Sequence, residues 1–334
     1  MNFYAKVLLS IIISFVVVAV VMPFLIKFLR KKKMGQNILS FVDMHSSKSG
    51  TPTMGGVSFM IVIFVVGLIF AKNSKLVLMS LVVSLAYALI GFLDDYIKFK
   101  MHRNLGLRPY QKIISQFVVA VSVAIFVYLN PSLVGSKVLV PFSFICLDLG
   151  WGIIPFVVLI FLATTNSVNL TDGLDGLAGT TTIAYYAGLV LVLLIQIENS
   201  CVPNMAEAQN MVMLSGAAIG ALFGFLLYNS HPAKIFMGDT GSLGLGGLVA
   251  SVSIFSRNSL YIPILGIMFV ASSVSVILQV VYFKATKGKR IFLMAPLHHH
   301  FEKKGHSETK IVAWYGIITL MVGLVCAFIL LCFA

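Results

Sequence analysis

Two aspartates stand side by side where a long apolar run ends, Asp94 and Asp95 in ALIGFLDDYIKFK, residues 88–100. Neighbouring carboxylates repel each other, a helix C-terminus already carries partial negative charge, and an apolar border disfavours any charge. Three unfavourable terms at one place require a compensating cation. Lys98, four residues after Asp94, lies on the same helical face if the helix continues. A divalent metal is the other candidate. Acids at a helix end can also simply mark the water boundary, but such acids rarely come as an adjacent pair.

Four further stretches carry residues of chemical interest. In NSVNLTDGLDGLAGT, residues 166–180, Asn169, Asp172 and Asp175 are spaced by three and would share a face in a helical turn. Gly173, Gly176 and Gly179 would let a backbone approach a ligand. In HPAKIFMGDTGSLGLGG, residues 231–247, Asp239 precedes a Gly-rich run, with Asn229 and Phe236 nearby. Asp239 could cap the following helix, or hold a metal while adjoining amides meet phosphate oxygens. In MAPLHHHFEKKGH, residues 294–306, His298, His299 and His300 are consecutive. Adjacent histidines do not easily ligate one zinc and no cysteine is near, so imidazoles binding phosphate or sugar fit better. SSKSGTPTMGGV, residues 46–57, is a small-residue loop with Lys48 and Thr53, lacking the spacing of a P-loop.

The elements that must position these residues are apolar. The chain has 334 residues, 59% hydrophobic and only 10% charged, where soluble domains carry about 25%. The runs are continuous rather than alternating, which favours spanning helices over a barrel. An all-α polytopic membrane protein is expected, with one integral membrane domain over 1–334. Ten apolar runs are expected to span: 5–29, 54–71, 75–95, 113–130, 151–166, 177–197, 209–228, 241–256, 260–283 and 311–333. The first is read as a span and not a removed signal, because it exceeds a signal-peptide apolar region. Pro263 should end or kink the start of the ninth. Cys146, Cys201, Cys326 and Cys332 have no metal-ligand spacing and suggest no disulfide framework.

The net charge of +13 follows from topology and does not imply a nucleic-acid partner. Most Lys and Arg fall in one set of loops, which the positive-inside rule makes cytoplasmic. Both termini are therefore expected outside. Asp43, Asp94, Asp95, Asp172, Asp175 and Asp239 all fall on the cytoplasmic side, and only Asp148 falls opposite. The positive-inside rule does not predict that gathering of acids.

Carboxylates suited to Mg2+, several Lys and Arg, glycine-rich turns and a His cluster at one face match phosphoryl transfer, which relies on positioning and charge neutralisation. A site at the bilayer edge can join a water-soluble phosphate donor to a lipid acceptor. A membrane phosphotransferase using a nucleotide-type donor is the resulting expectation.

GFLDDYIK, NLTDGLDGLAG, FMGDTGSL and APLHHHFE resemble the polyprenyl-phosphate N-acetylhexosamine-1-phosphate transferase superfamily. The triple His with TPTMGG resembles its bacterial branch, the phospho-N-acetylmuramoyl-pentapeptide transferases; Ser167, where Ala is expected, is a slight departure. The resemblance implies transfer of phospho-MurNAc-pentapeptide from its UDP carrier to undecaprenyl phosphate, giving lipid I and UMP, with Mg2+ required and a homodimer expected. It implies Asp239 as the metal ligand, Asp94 as the base and Asp95 as its acidic neighbour. Lys98 and Lys112 would steady phosphates. Lys48, Asp175 and Phe236 would form the uracil pocket, and Thr53, Asn169 and Asp172 the ribose and diphosphate region. His298 and His299 would flank the phosphates. His300, Asn229, Gly238 and Gln279 complete the implied substrate-binding set.

Rival readings fit less well. A cation-coupled transporter would place its acids near the midplane and often show repeat halves. A CDP-alcohol phosphotransferase would carry an Arg after its Asp-x-x-Asp-Gly start and later paired aspartates at its own spacing, and both are absent after DGLDG here. A GlcNAc-1-phosphate transferase of the same superfamily would not carry the His triplet with TPTMGG.

Overall fold

The computed structural model describes residues 1–32, 50–71, 73–101, 106–200, 202 and 204–333. Lys48 and Asp43 lie outside the described residues. Long apolar runs satisfy their backbone internally as helices. In chain order these are α1 (Phe3–Lys31), α2 (Gly56–Phe70), α3 (Lys75–Lys100) and α4 (Pro109–Leu129). A small hairpin of β1 (Lys137–Leu139) and β2 (Cys146–Asp148) follows, antiparallel, with Val138 opposite Leu147. Then come α5 (Ile153–Thr171), α6 (Leu177–Glu198), α7 (Met205–Asn229), α8 (Gly238–Phe255) and the single turn α9 (Ile262–Leu265). The chain ends with α10 (Ile267–Ala285), α11 (Leu297–Lys303) and α12 (Glu308–Cys332).

Eight of these helices are long and apolar enough to cross a membrane, among the described residues: α1, α3, α4, α5, α6, α7, α10 and α12. The chain is an all-α polytopic membrane protein with a minor hairpin. The two expected spans outside that set are special in different ways. α2 has only 15 residues. α8 has 18, rich in Gly and Ser, and every residue from Thr240 to Phe255 is buried. It forms the centre of the bundle, packed by α2, α3 and α5. Its small residues suit close helix approach in a membrane. At Gly91 of α3 an added Cβ would overlap the Asp239 carbonyl, so that position permits no larger residue.

Several expected boundaries shift. The ninth run is broken at Gly266, and Pro263 sits harmlessly in the first turn of α9, where its missing N–H costs nothing. The hairpin over 137–148 had no period long enough to show. The His triplet, expected in a loop, lies on the short helix α11. Asn169, Asp172 and Asp175 do not share one helical face: α5 ends at Thr171, Asp172 is its C-cap, and Asp175 lies in the turn beyond.

Candidate active site

α3 continues through Lys98 to Lys100, so Asp94, Asp95 and Lys98 belong to one helix end. Both aspartates are 3% exposed. The Lys98 ammonium lies 2.6 Å from Asp94 Oδ2 and 2.9 Å from Asp239 Oδ2. Lys112, from the first turn of α4, reaches the same Asp239 Oδ2 at 3.0 Å. Asn169 on α5 donates its amide to Asp239 Oδ1 and to Ser242 Oγ, both at 2.8 Å. Asp94 Oδ1 accepts the Leu107 N–H at 2.7 Å. Asp239 thus sits where α3, α4, α5 and α8 converge.

Asp95 faces the other way. Its carboxylate accepts the N–H of Asp239 at 3.2 Å, and the N–H and hydroxyl of Thr240 at 2.9 and 2.7 Å. These are donors of the first turn of α8, orphaned in any helix. Asp239 had been expected as a possible cap of α8; it lies inside the first turn, and Asp95 supplies the acceptor from another helix.

Carboxylate oxygens of Asp94, Asp95 and Asp239 lie within 4.8 Å of one another, a group that could hold a metal ion. Oxygen donors of this kind suit a hard divalent cation. Three carboxylates face two ammoniums, leaving one formal negative charge in excess. The donor set therefore fits a cation, and Lys98 contacts both Asp94 and Asp239.

A second cluster adjoins the first. Asp175 is 4% exposed, and its Oδ2 accepts the Ala233 N–H at 3.0 Å and meets His231 Nδ1 at 3.0 Å. Glu308, the first residue of α12, places Oε2 at 3.7 Å from the same His nitrogen. This group also has metal-ligating composition. His231 and Glu308 were not singled out from the sequence; the only signal was His231 within HPAKIFMGD. Asp172, between the two clusters, is pushed up to about 8, first by burial and then by Asp239, Asp95 and Asp175.

Thr53 and Phe236 are brought together by backbone pairing. Phe236 donates its N–H to Pro52 O at 2.8 Å, and its carbonyl accepts the Gly55 N–H at 2.9 Å. Gly238 has φ +72°, the left-handed region, and a Cβ there would stand 2.6 Å from Asp95 Oδ2 and 2.9 Å from Thr53 Oγ1. Asn229 is 3% exposed; its amide accepts the Gly176 N–H at 3.0 Å and donates to Ile235 O at 2.9 Å, tying the two loops together.

The histidines divide by environment. His298 is buried, its ring over Gly173 and edge-on to Tyr315. His299 hydrogen-bonds through Nδ1 to Glu302. His300 accepts the Leu293 N–H at Nδ1, 3.1 Å, and burial with nearby Lys304 lowers its pKa, so the ring is neutral. Gln279 stands apart on α10. Its carbonyl accepts the N–H groups of Ile291 and Phe292 at 3.1 and 3.0 Å, and it lines a cavity of about 330 Å³ bounded by residues of α10 and 290–295. None of the carboxylates above lines that cavity.

Comparison with known proteins identifies the family. Residues 76–257 match the glycosyl transferase family 4 model, and residues 48–59 match phospho-N-acetylmuramoyl-pentapeptide-transferase signature 1. The chain is 44% identical over 320 residues to the phospho-N-acetylmuramoyl-pentapeptide-transferase of Caldanaerobacter subterraneus subsp. tengcongensis, covering 95% of this chain and 96% of that one. It is 42% identical over 320 residues to that of Halalkalibacterium halodurans, covering 94% of each. With that of Bacillus subtilis the identity is 41% over 328 residues, covering 95% of this chain and 97% of the other. A match of this extent makes the chain a member of the phospho-N-acetylmuramoyl-pentapeptide-transferase family.

Proposed function

We propose that the chain transfers phospho-MurNAc-pentapeptide from its UDP carrier to undecaprenyl phosphate, giving lipid I and UMP, in the cytoplasmic membrane as a step of peptidoglycan synthesis. The observation that carries this is the half-buried meeting of Asp94 and Asp239 with Lys98 and Lys112 at 2.6 to 3.0 Å. Family membership supplies the substrate class. The ends of α3, α5 and α8 that hold the acids adjoin the basic loops, which supports a cytoplasmic site. Ten spans, with α2 and α8 included, and both termini outside are the topology consistent with this.

Asp239 would hold Mg2+, which when bound supplies charge neutralisation at the donor diphosphate. Lys98 and Lys112 would steady the phosphates and offset their charge. Asp94 would accept the proton of the lipid phosphate, whose second pKa near 6 asks only for a modest base. The deprotonated oxygen then attacks the sugar-bearing phosphorus directly, and UMP departs. Lys48, Asp175 and Phe236 would bind uracil, with the Phe236 ring stacked on the base. Thr53, Asn169, Asp172 and Gly238 would line the ribose and diphosphate. Asn229 would hold this pocket in shape. His298, His299 and His300 would flank the phosphates, and Gln279 would contact the donor or acceptor from the side. A homodimer is the proposed assembly.

Purified protein in detergent, given polyprenyl phosphate and either UDP-MurNAc-pentapeptide or UDP-GlcNAc, tests the reading. Release of UMP with the first donor and none with the second supports it. The reverse preference would reassign the chain to a GlcNAc-1-phosphate transferase.

A further inference from the structure

Asp95 is buried beside two groups proposed to act on substrate or cation, yet its oxygens are committed elsewhere. The N-cap of α8, Met237, offers no polar side chain and makes no capping hydrogen bond. A helix start without an acceptor leaves backbone donors unsatisfied, which is costly in an apolar interior. Asp95 fills that need from α3. One oxygen takes the Asp239 N–H, and the other takes both the N–H and the hydroxyl of Thr240. Its charge also complements the positive end of the helix dipole. The Lys98 ammonium, 2.6 Å from Asp94, is 4.0 Å from Asp95.

The fit around this cap leaves no slack. Residue 238 has no room for a Cβ beside Asp95 Oδ2, and residue 91, one turn earlier on α3, has none beside the Asp239 carbonyl. α3 therefore grips the first turn of α8 at two points a turn apart. The residue gripped is Asp239, whose side chain must reach Lys98, Lys112 and Asn169 together.

We infer that Asp95 is a positioning residue: it seats Asp239 by capping α8 across the helix interface, and it touches neither substrate nor metal. The inference rests on the proposed transferase reading for its consequence but not for its geometry. Displacing an acid by about 1 Å can cost about 10²-fold in rate. Thr240→Val, which removes one partner of the cap and keeps the volume, lowers kcat about tenfold with the donor KM unchanged. Asp95→Asn lowers kcat about 10²-fold, and adding Thr240→Val to it changes nothing more.

Two readouts separate positioning from direct contact. Amide hydrogen exchange on the purified protein without substrate reports the cap itself. Asp95→Asn and Thr240→Val speed exchange across residues 238–241 and leave 245–255 protected, whereas Asp94→Asn does not. This arm stands even if the transferase reading fails. Cysteine substitution with a thiophilic metal reports ligation: with Mn2+ or Cd2+, Asp239→Cys regains transfer over its level with Mg2+, and Asp95→Cys does not. Regained transfer by Asp95→Cys, or unchanged exchange at 238–241 in both cap variants, overturns the inference.

Discussion

Lys112 crosses from α4 to Asp239 on α8, its ammonium 3.0 Å from Oδ2, on the oxygen that Lys98 also contacts at 2.9 Å. One carboxylate oxygen thus holds two cations before any substrate is present. Replacing Lys112 by Met should lower kcat by about 10²-fold, the scale of losing one preorganised charge partner. The same variant should bind Mn2+ more tightly in the absence of donor, since a competing cation is gone. Steady-state transfer and Mn2+ binding by electron paramagnetic resonance check both. Weaker Mn2+ binding would show that Lys112 supports the cation instead of competing with it.

Asp172 gives a pH signature. Its folded pKa, about 8, stands well above the ordinary carboxylate value of 3.8. The folded protein therefore holds a proton there that the unfolded chain releases. The associated stability is complete below about pH 4, declines as pH rises, and is gone above about pH 8. Thermal unfolding in detergent from pH 5 to 9 should show the midpoint falling by a few degrees. Asp172→Asn, which cannot ionise, should flatten that fall. Parallel curves for the two proteins would refute the assignment.

His298 lies flush against Gly173, and an added Cβ there would strike the imidazole Nε2. Gly173→Ala should destabilise the protein by about 1–3 kcal/mol, the usual cost of overpacking. It should also reduce transfer, because the displaced ring carries α11 with it. Gly173→Ala combined with His298→Ala should recover the stability but not the transfer. A calorimetric series of the single and double variants measures this.

Direct attack predicts no covalent intermediate. Protein incubated with radiolabelled UDP-MurNAc-pentapeptide and no lipid should neither release UMP nor carry label after denaturation. An adduct on an aspartate would establish a two-step route.

The legible part of the site was local in sequence. Asp94, Asp95 and Lys98 are within one helical turn, so spacing alone paired Asp94 with Lys98. Asp239 stood out because acids are scarce in an apolar chain. What escaped were relationships across the bundle. Nothing in FMGDTG says that the acceptor for its helix comes from Asp95, 144 positions away. His231 and Glu308 meet Asp175 only because α12 begins beside the turn after α5. Run lengths located every long helix, yet composition could not tell α8, enclosed by other helices, from a span facing lipid. The expected face joining Asn169, Asp172 and Asp175 failed because α5 stops at Thr171, a helix end that a Gly-rich stretch only loosely marks.

Because α8 is walled in by its neighbours, acyl chains have no purchase on the helix that carries Asp239. Stretching or thinning the bilayer would tilt the outer helices first, α1, α4 and α10, whose flanks are the least enclosed. Asp239 is thereby shielded from direct contact with acyl chains, and bilayer thickness can reach it chiefly through Lys112, the ammonium that lipid-facing α4 lends to the site.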